Sequence, residues 1–163
     1  MQLRKAVVTD VPAVQALINN CADAGLMLPR SLGWLYENIR DFTVVLDGNR
    51  MVGTGALHVA WDNLAEIRSL AVEKRMRGRG IGRALVEALL AETMVLGLNK
   101  VFALTYQSVF FEKLGFRQVA KETLPHKVWT DCLNCVKFPN CDEVSVLWDD
   151  ASRTSEGDSP QRR

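Results

Sequence analysis

The feature that most constrains this chain is a glycine-rich, arginine-rich turn that joins an apolar stretch to a helix-forming one. Gly78, Gly80 and Gly82 stand on alternate positions and are separated from the apolar residues 70–72 by the short segment 73–77. Glycine permits a tight turn and lets the backbone approach an anion closely. The first amides of the following helix lack intrahelical acceptors, and the helix dipole adds positive charge there. The pattern predicts a phosphate-binding turn between a strand and a helix.

Four arginines surround this turn, as a pyrophosphate or a 3′-phosphate would require: Arg75, Arg77, Arg79 and Arg83. Two familiar phosphate loops are excluded, because the chain has no G-x-x-x-x-G-K-[ST] and the glycine spacing differs from G-x-G-x-x-G. The alternative is a basic strand-to-helix turn without a ligand.

The run Arg77-x-x-Gly80-x-Gly82, preceded by Leu70-Ala71-Val72, resembles the acyl-CoA-binding motif of the GNAT N-acetyltransferase superfamily. The resemblance implies acetyl-CoA as co-substrate, with its pyrophosphate on the amides of the turn and its pantetheine arm paired with the strand. The cofactor-binding residues that it implies are Leu70, Ala71, Val72, Arg77, Gly78, Arg79, Gly80, Ile81, Gly82 and Arg83.

The apolar pattern predicts alternating strands and helices. The predicted strands are 3–8, 42–46, 51–61, 64–72, 100–104, 116–120 and 143–148, and the predicted helices begin near 11 and span 32–39, 81–96 and 109–114. Because a helix separates strands 64–72 and 100–104, they are expected to be parallel neighbours. The fold class is therefore α/β (α+β), a mixed and largely antiparallel sheet with a central parallel pair and flanking helices.

Length and charge limit the number of domains and the kinds of partner that the chain can have. With 163 residues the chain fits one domain, predicted over 1–150, and the tail 151–163, rich in Ser, Arg and acidic residues, is expected to be disordered. Lys+Arg 20 against Asp+Glu 19 gives no global sign of a nucleic-acid or membrane partner. No apolar run of signal-peptide or membrane-span length is present, so a cytoplasmic location is expected. Exposed sheet edges could pair two copies into a homodimer.

Acyl transfer to an amine needs a base, and Glu66 is the candidate. Alternation along the strand gives it the same side-chain parity as Arg68, Leu70 and Val72. Members of the superfamily that use a carboxylate base carry it on this strand. The alternative is a surface glutamate or an ion pair with Arg68.

The proton donor to the leaving thiolate is less directly indicated. Phe111 stands where many members of the superfamily have a tyrosine, and a phenyl ring cannot donate a proton. Tyr106 and Thr105 are the candidates, because these hydroxyls follow the strand near which the CoA sulfur is expected. Tyr106 could instead pack as an amphipathic aromatic residue.

A closer resemblance within the superfamily concerns the acceptor. The runs Leu28-Pro29-Arg30-Ser31, Leu104-Thr105-Tyr106-Gln107-Ser108 and Leu124-Pro125-His126-Lys127 are similar to those of small stand-alone N-acetylglutamate synthases. This resemblance implies arginine biosynthesis, with L-glutamate or L-glutamine as the amine substrate. Arg30 would bind a substrate carboxylate, since a cation at a helix N-terminus is otherwise unfavourable. The alternative is a solvated arginine, because most arginines are exposed. Further candidates for substrate binding are Arg68, Lys127 and Lys137.

A cluster of metal-competent side chains lies near the C-terminus, formed by His126, Cys132, Cys135 and Cys141. The spacing suits a structural zinc, although a single CxxC is a weaker signal than a pair. The alternatives are reduced cysteines in the core or a redox pair. Cys21 is most simply a core residue of the first helix.

Other functions remain open at this stage. The enzyme could acetylate a protein N-terminus, a lysine or an antibiotic. A non-catalytic acyl-CoA-binding or arginine-sensing module is suggested by Phe111.

Overall fold

A computed structural model describes residues 1–125 and 142–150 of the chain. Within them the strands are β1 (Gln2–Lys5), β2 (Phe42–Asp47), β3 (Arg50–Trp61), β4 (Leu64–Val72), β5 (Lys100–Thr105), β6 (Arg117–Val119) and β7 (Val144–Asp149). The α-helices are α1 (Val11–Asp23), α2 (Leu32–Asn38), α3 (Ile81–Leu96) and α4 (Ser108–Glu112). Short 3-10 turns cover Val8–Asp10, Ile39–Asp41, Lys74–Met76 and Lys121–Thr123.

The strands form a seven-stranded sheet in the order β1-β2-β3-β4-β5-β7-β6. β4 and β5 run parallel, with Ala65 opposite Val101 and Glu66 opposite Phe102. The pairs β1–β2, β2–β3, β5–β7 and β6–β7 are antiparallel. The predicted fold class and the predicted parallel pair are therefore confirmed. The position of β7 between β5 and β6 joins segments distant in the chain, which local sequence patterns do not specify.

The chain forms two compact units, one made of Met1–His58 and Ile67–Glu92 and the other of Val59–Glu66 and the described residues after Glu92. In the first unit, neighbouring residues of β2 point to opposite faces of the sheet. Val44 packs in a cluster with α1, α2 and Ala71, whereas Val45 packs in a cluster with Ile81 and Leu85 of α3. The first unit is thus covered on both faces.

The second unit has its own apolar cluster, in which Leu64, Phe102 and Leu124 are buried. Phe111 of α4 is 4% exposed and stacks edge to face with Phe110 and Phe116. Phe111 is therefore a packing residue in this structure.

Element ends differ from the sequence prediction by a few residues. β1 ends at Lys5, not at residue 8, because a 3-10 turn begins at Val8. β7 is shifted by one residue, to Val144–Asp149. The tail 151–163 lies outside the described residues. Among the residues that the structure describes, no helix combines the length and the apolar character that crossing a membrane requires.

Candidate functional site

The glycine-rich turn leaves the end of β4 and enters α3. Gly78 has φ +77° and Gly80 has φ +82°, and a Cβ atom at either position would meet no atom within 4 Å. Glycine is thus required here for backbone conformation, and the space beside the turn is open. The first helical bond runs from Ala84 N to Gly80 O at 3.0 Å, so the amides just before Ala84 lack intrahelical acceptors. This arrangement fits a pyrophosphate.

Apolar packing fixes both sides of the turn. Met76, in the 3-10 turn, is 5% exposed and belongs to the same buried cluster as Ile81 at the start of α3. The position of the glycines is therefore set by burial on either side of them.

The arginines of the turn have different roles. Arg77 Nε donates to the main-chain oxygen of Val72 at 3.2 Å, and Arg77 Nη2 donates to Cys21 Sγ at 3.7 Å. Arg83 pairs with Glu87 at 2.8 Å, and Arg75 Nε lies 3.6 Å from Glu73. Arg77 thus braces the turn against β4 and α1, a role that its spacing in the sequence did not indicate. The burial of Cys21 agrees with its predicted place in the core.

Two glycines of β3 let α3 lie directly on the sheet. A Cβ at Gly53 would stand 2.8 Å from Ile81 Cγ2, and one at Gly55 would stand 3.0 Å from Leu70 Cδ1 and 3.3 Å from Leu89 Cδ1. A methyl group at Gly53 would force a shift of its neighbours, and one at Gly55 would require Leu70 and Leu89 to give by a few tenths of an ångström. Neither position was predicted from the sequence, although an isolated glycine inside a strand is a known sign of close approach.

The backbone of β4 is irregular at Ser69, which has φ 55° and is the one non-glycine residue with positive φ among the described residues. A residue in this conformation breaks the alternation of the pleat. Arg68 lies near Trp34, and Trp34 packs against the apolar cluster of α1 and α2. Leu70 instead packs against the cluster that contains Ile81 and Leu85 of α3. The predicted common face for Arg68 and Leu70 is therefore wrong, because parity assumes a regular strand.

Arg30 and Arg68 meet at one aromatic ring. The Arg30 guanidinium lies 4.0 Å from the centroid of Trp34, and that of Arg68 lies 5.6 Å from it. Both distances are within the range of cation–π attraction. The structure thus brings together two of the predicted substrate-binding cations, and it adds Trp34, which the sequence analysis did not single out. The spacing of four residues between Arg30 and Trp34 at the start of a predicted helix is the sequence signal that could have indicated this contact.

The predicted acid and base belong to the second unit. Glu66 lies on β4, half-buried and opposite Phe102 in the ladder. Thr105 ends β5, is buried and accepts a hydrogen bond at Oγ1 from Gln107 N at 2.8 Å. The Tyr106 hydroxyl donates to Asp142 Oδ1 at 2.7 Å and its side chain is exposed.

Several predicted residues lie outside the described part of the chain. They are Lys127 and Lys137 of the substrate site and the whole proposed zinc set, His126, Cys132, Cys135 and Cys141. Their roles stay predictions.

Comparisons with known proteins agree on one family. An acetyltransferase (GNAT) domain model matches residues 38–118. The chain is 41% identical over 145 residues to an uncharacterized N-acetyltransferase of Chlorobaculum tepidum, covering 89% of this chain and 94% of that protein. It is 40% identical over 120 residues to an amino-acid acetyltransferase of Mycobacterium tuberculosis, covering 72% of this chain and 68% of that protein. A crystal structure from Mycobacterium tuberculosis in complex with CoA and a second ligand superposes with a TM-score of 0.80 at 32% identity, covering 91% of this chain and 99% of that one.

Proposed function

Because the chain belongs to the GNAT acetyltransferase family, we propose that it transfers the acetyl group of acetyl-CoA to the α-amine of L-glutamate, with L-glutamine as the alternative acceptor, in arginine biosynthesis. The similarity to an amino-acid acetyltransferase supports a free amino acid as the acceptor. The similarity to a protein crystallised with CoA supports the donor.

The observation that carries the acceptor class is the pair of guanidiniums on Trp34. The two guanidiniums place two cations near one ring, and an acidic amino acid carries two carboxylates that two cations can bind. Arginine forms bidentate hydrogen bonds with carboxylates. Arg30 and Arg68 thus favour an acidic amino acid over one with an apolar side chain.

The glycine-rich turn holds the donor in this proposal. The open space beside Gly78 and Gly80 admits the pyrophosphate, and the amides at the start of α3 donate to it. Arg79, which is exposed, adds charge at the same place. Met76 and Ile81 keep the turn fixed before the donor binds.

Acetyl transfer proceeds directly between the two bound substrates. Glu66 accepts a proton from the ammonium group, through a water, and the neutral amine attacks the thioester carbonyl carbon. The carbon–sulfur bond then breaks, and the hydroxyl of Tyr106 or Thr105 gives its proton to the leaving thiolate. One proton of the attacking amine nitrogen passes to that hydroxyl oxygen, so that the products are the amide and the CoA thiol. No covalent acyl-enzyme is formed.

A thiol-release assay with acetyl-CoA and a panel of amino acids tests this function. We expect the highest kcat/KM with L-glutamate, a lower value with L-glutamine and little thiol release with L-leucine. Arg30→Ala should raise the KM for glutamate by about tenfold or more and leave the KM for acetyl-CoA unchanged. A preference for an apolar amino acid, or an undisturbed KM in the variant, would contradict the assignment.

A further inference from the structure

The backbone of Arg30 is held at both of its polar groups by α1. Arg30 lies in the segment between α1 and α2, directly before Ser31, whose side chain caps α2 by accepting from Trp34 N at 3.1 Å. Arg30 N donates to Asn19 Oδ1 at 3.1 Å, and Gln15 Nε2 donates to Arg30 O at 3.2 Å. Both partners are half-buried and lie four residues apart, on one face of α1.

We propose that Asn19 and Gln15 are positioning residues that set the affinity for the acceptor carboxylate by fixing the backbone of Arg30. The inference rests on the proposed role of Arg30 in acceptor binding. Neither residue was a candidate from the sequence, because each acts on a main-chain group 11 or 15 residues away.

The physical reason is preorganisation. A loop residue left free to move loses backbone entropy when a ligand fixes it, and that loss weakens binding. Asn19 and Gln15 order the Arg30 backbone beforehand, and Trp34 orders its guanidinium. The carboxylate then meets an arginine that is already in place.

The two contacts have opposite hydrogen-bond polarity, which gives a sharp test. Asn19 accepts through its side-chain oxygen, so Asn19→Asp keeps the contact and Asn19→Leu removes it. Gln15 donates through its side-chain nitrogen, so Gln15→Glu replaces the donor with an acceptor that faces a carbonyl, and Gln15→Met removes the contact. The same amide-to-acid change is thus expected to be tolerated at residue 19 and harmful at residue 15.

Steady-state kinetics with glutamate and acetyl-CoA provide the first readout. Loss of one such hydrogen bond should raise the KM for glutamate by about 3- to 10-fold in Asn19→Leu, Gln15→Met and Gln15→Glu, with kcat and the KM for acetyl-CoA unchanged. Asn19→Asp should stay near the wild-type value. Asn20→Leu, at an exposed position of the same helix, is the matched control. Wild-type KM values for glutamate in the three variants that lose a contact, Asn19→Leu, Gln15→Met and Gln15→Glu, would overturn the proposal while leaving the proposed function intact.

Hydrogen exchange of the Arg30 amide provides a readout that does not depend on turnover. Protection should fall in Asn19→Leu and persist in Asn19→Asp and Asn20→Leu. If the wild-type enzyme acetylates no amino acid, the proposed function fails and the role in acceptor affinity fails with it, whatever the exchange result. If it acetylates glutamate but exchange of the Arg30 amide is the same in every variant, the positioning role alone is overturned.

Discussion

Arg77 Nε donates a hydrogen bond to the main-chain oxygen of Val72 at 3.2 Å, tying the glycine-rich turn back to the strand that it has just left. The same guanidinium reaches Cys21 Sγ in α1 at 3.7 Å. One side chain thus connects the turn, the end of β4 and a helix of the first unit. The turn is held by this contact as well as by its buried apolar flanks.

Replacing Arg77 should therefore weaken acetyl-CoA binding by more than the loss of one charge. We expect Arg77→Ala to raise the KM for acetyl-CoA by about tenfold or more, because both the charge and the brace are lost. Arg79→Ala removes the same charge but leaves the contacts of Arg77 with Val72 and Cys21 in place, so it should have a smaller effect. An equal rise in the KM for acetyl-CoA in both variants would show that only the charge of Arg77, and not its contacts, contributes to binding.

Adding a methyl group at Gly53 should disturb the start of α3. The new Cβ would lie 2.8 Å from Ile81 Cγ2, so Ile81 or the helix must move. We expect Gly53→Ala to lower stability by about 1–3 kcal/mol, as overpacking of a core does, and also to raise the KM for acetyl-CoA. Gly33→Ala is the matched control, because a Cβ there meets no atom within 4 Å and the residue lies in α2. Denaturant unfolding and steady-state kinetics of both variants test this prediction. If Gly53→Ala has the stability and the KM of the wild type, the close packing of Ile81 against Gly53 is refuted.

Glu66→Gln should lower kcat/KM by about 10²- to 10⁴-fold if Glu66 is the base. The loss should be largest at low pH, where more of the amine is protonated and needs a base. A pH–rate profile of the variant checks this. A profile that matches the wild-type one would remove Glu66 from the mechanism.

Tyr106 and Thr105 can be separated by their different surroundings. Thr105 is buried and accepts from Gln107 N, so Thr105→Val should lower the melting temperature as well as any activity. Tyr106 is exposed, so Tyr106→Phe should leave the melting temperature near that of the wild type. A large fall in kcat in Tyr106→Phe alone would identify it as the acid, and an unchanged kcat would exclude it.

The Arg4–Asp10 ion pair gives a pH-dependent contribution to stability. Arg4 binds Asp10 through two hydrogen bonds of 2.7 and 3.0 Å, and these bonds hold the pKa of Asp10 below its usual value. Because the folded pKa is lowered, the stabilisation is complete above the unfolded pKa of about 3.9 and is lost as the pH falls through the folded pKa.

Asp10→Asn should accordingly lower the free energy of unfolding by about 1–3 kcal/mol at pH 7. The difference from the wild type should shrink as the pH falls below about 4. Thermal unfolding of both proteins at several pH values measures this difference in stability. A difference that stays constant with pH would contradict the role of the Asp10 charge.

The features that were predicted correctly from the sequence are those with a local signal. The order of the elements follows from apolar periodicity, and the turn between β4 and α3 follows from glycines and arginines within a few residues of one another. The parallel pair β4–β5 follows from the helix between the strands, since that connection requires a crossover. These features need only the chemistry of neighbouring residues.

Which side chains meet across the fold depends on tertiary packing. The left-handed backbone at Ser69 separates Arg68 from Leu70, and this is invisible to an alternation rule. The contacts of Arg30 with Trp34 and α1, and of Arg77 with Cys21, depend on how helices pack on the sheet. The elements and the glycine-rich turn thus follow from local sequence, whereas packing of distant segments sets how Arg30 and Arg68 are held.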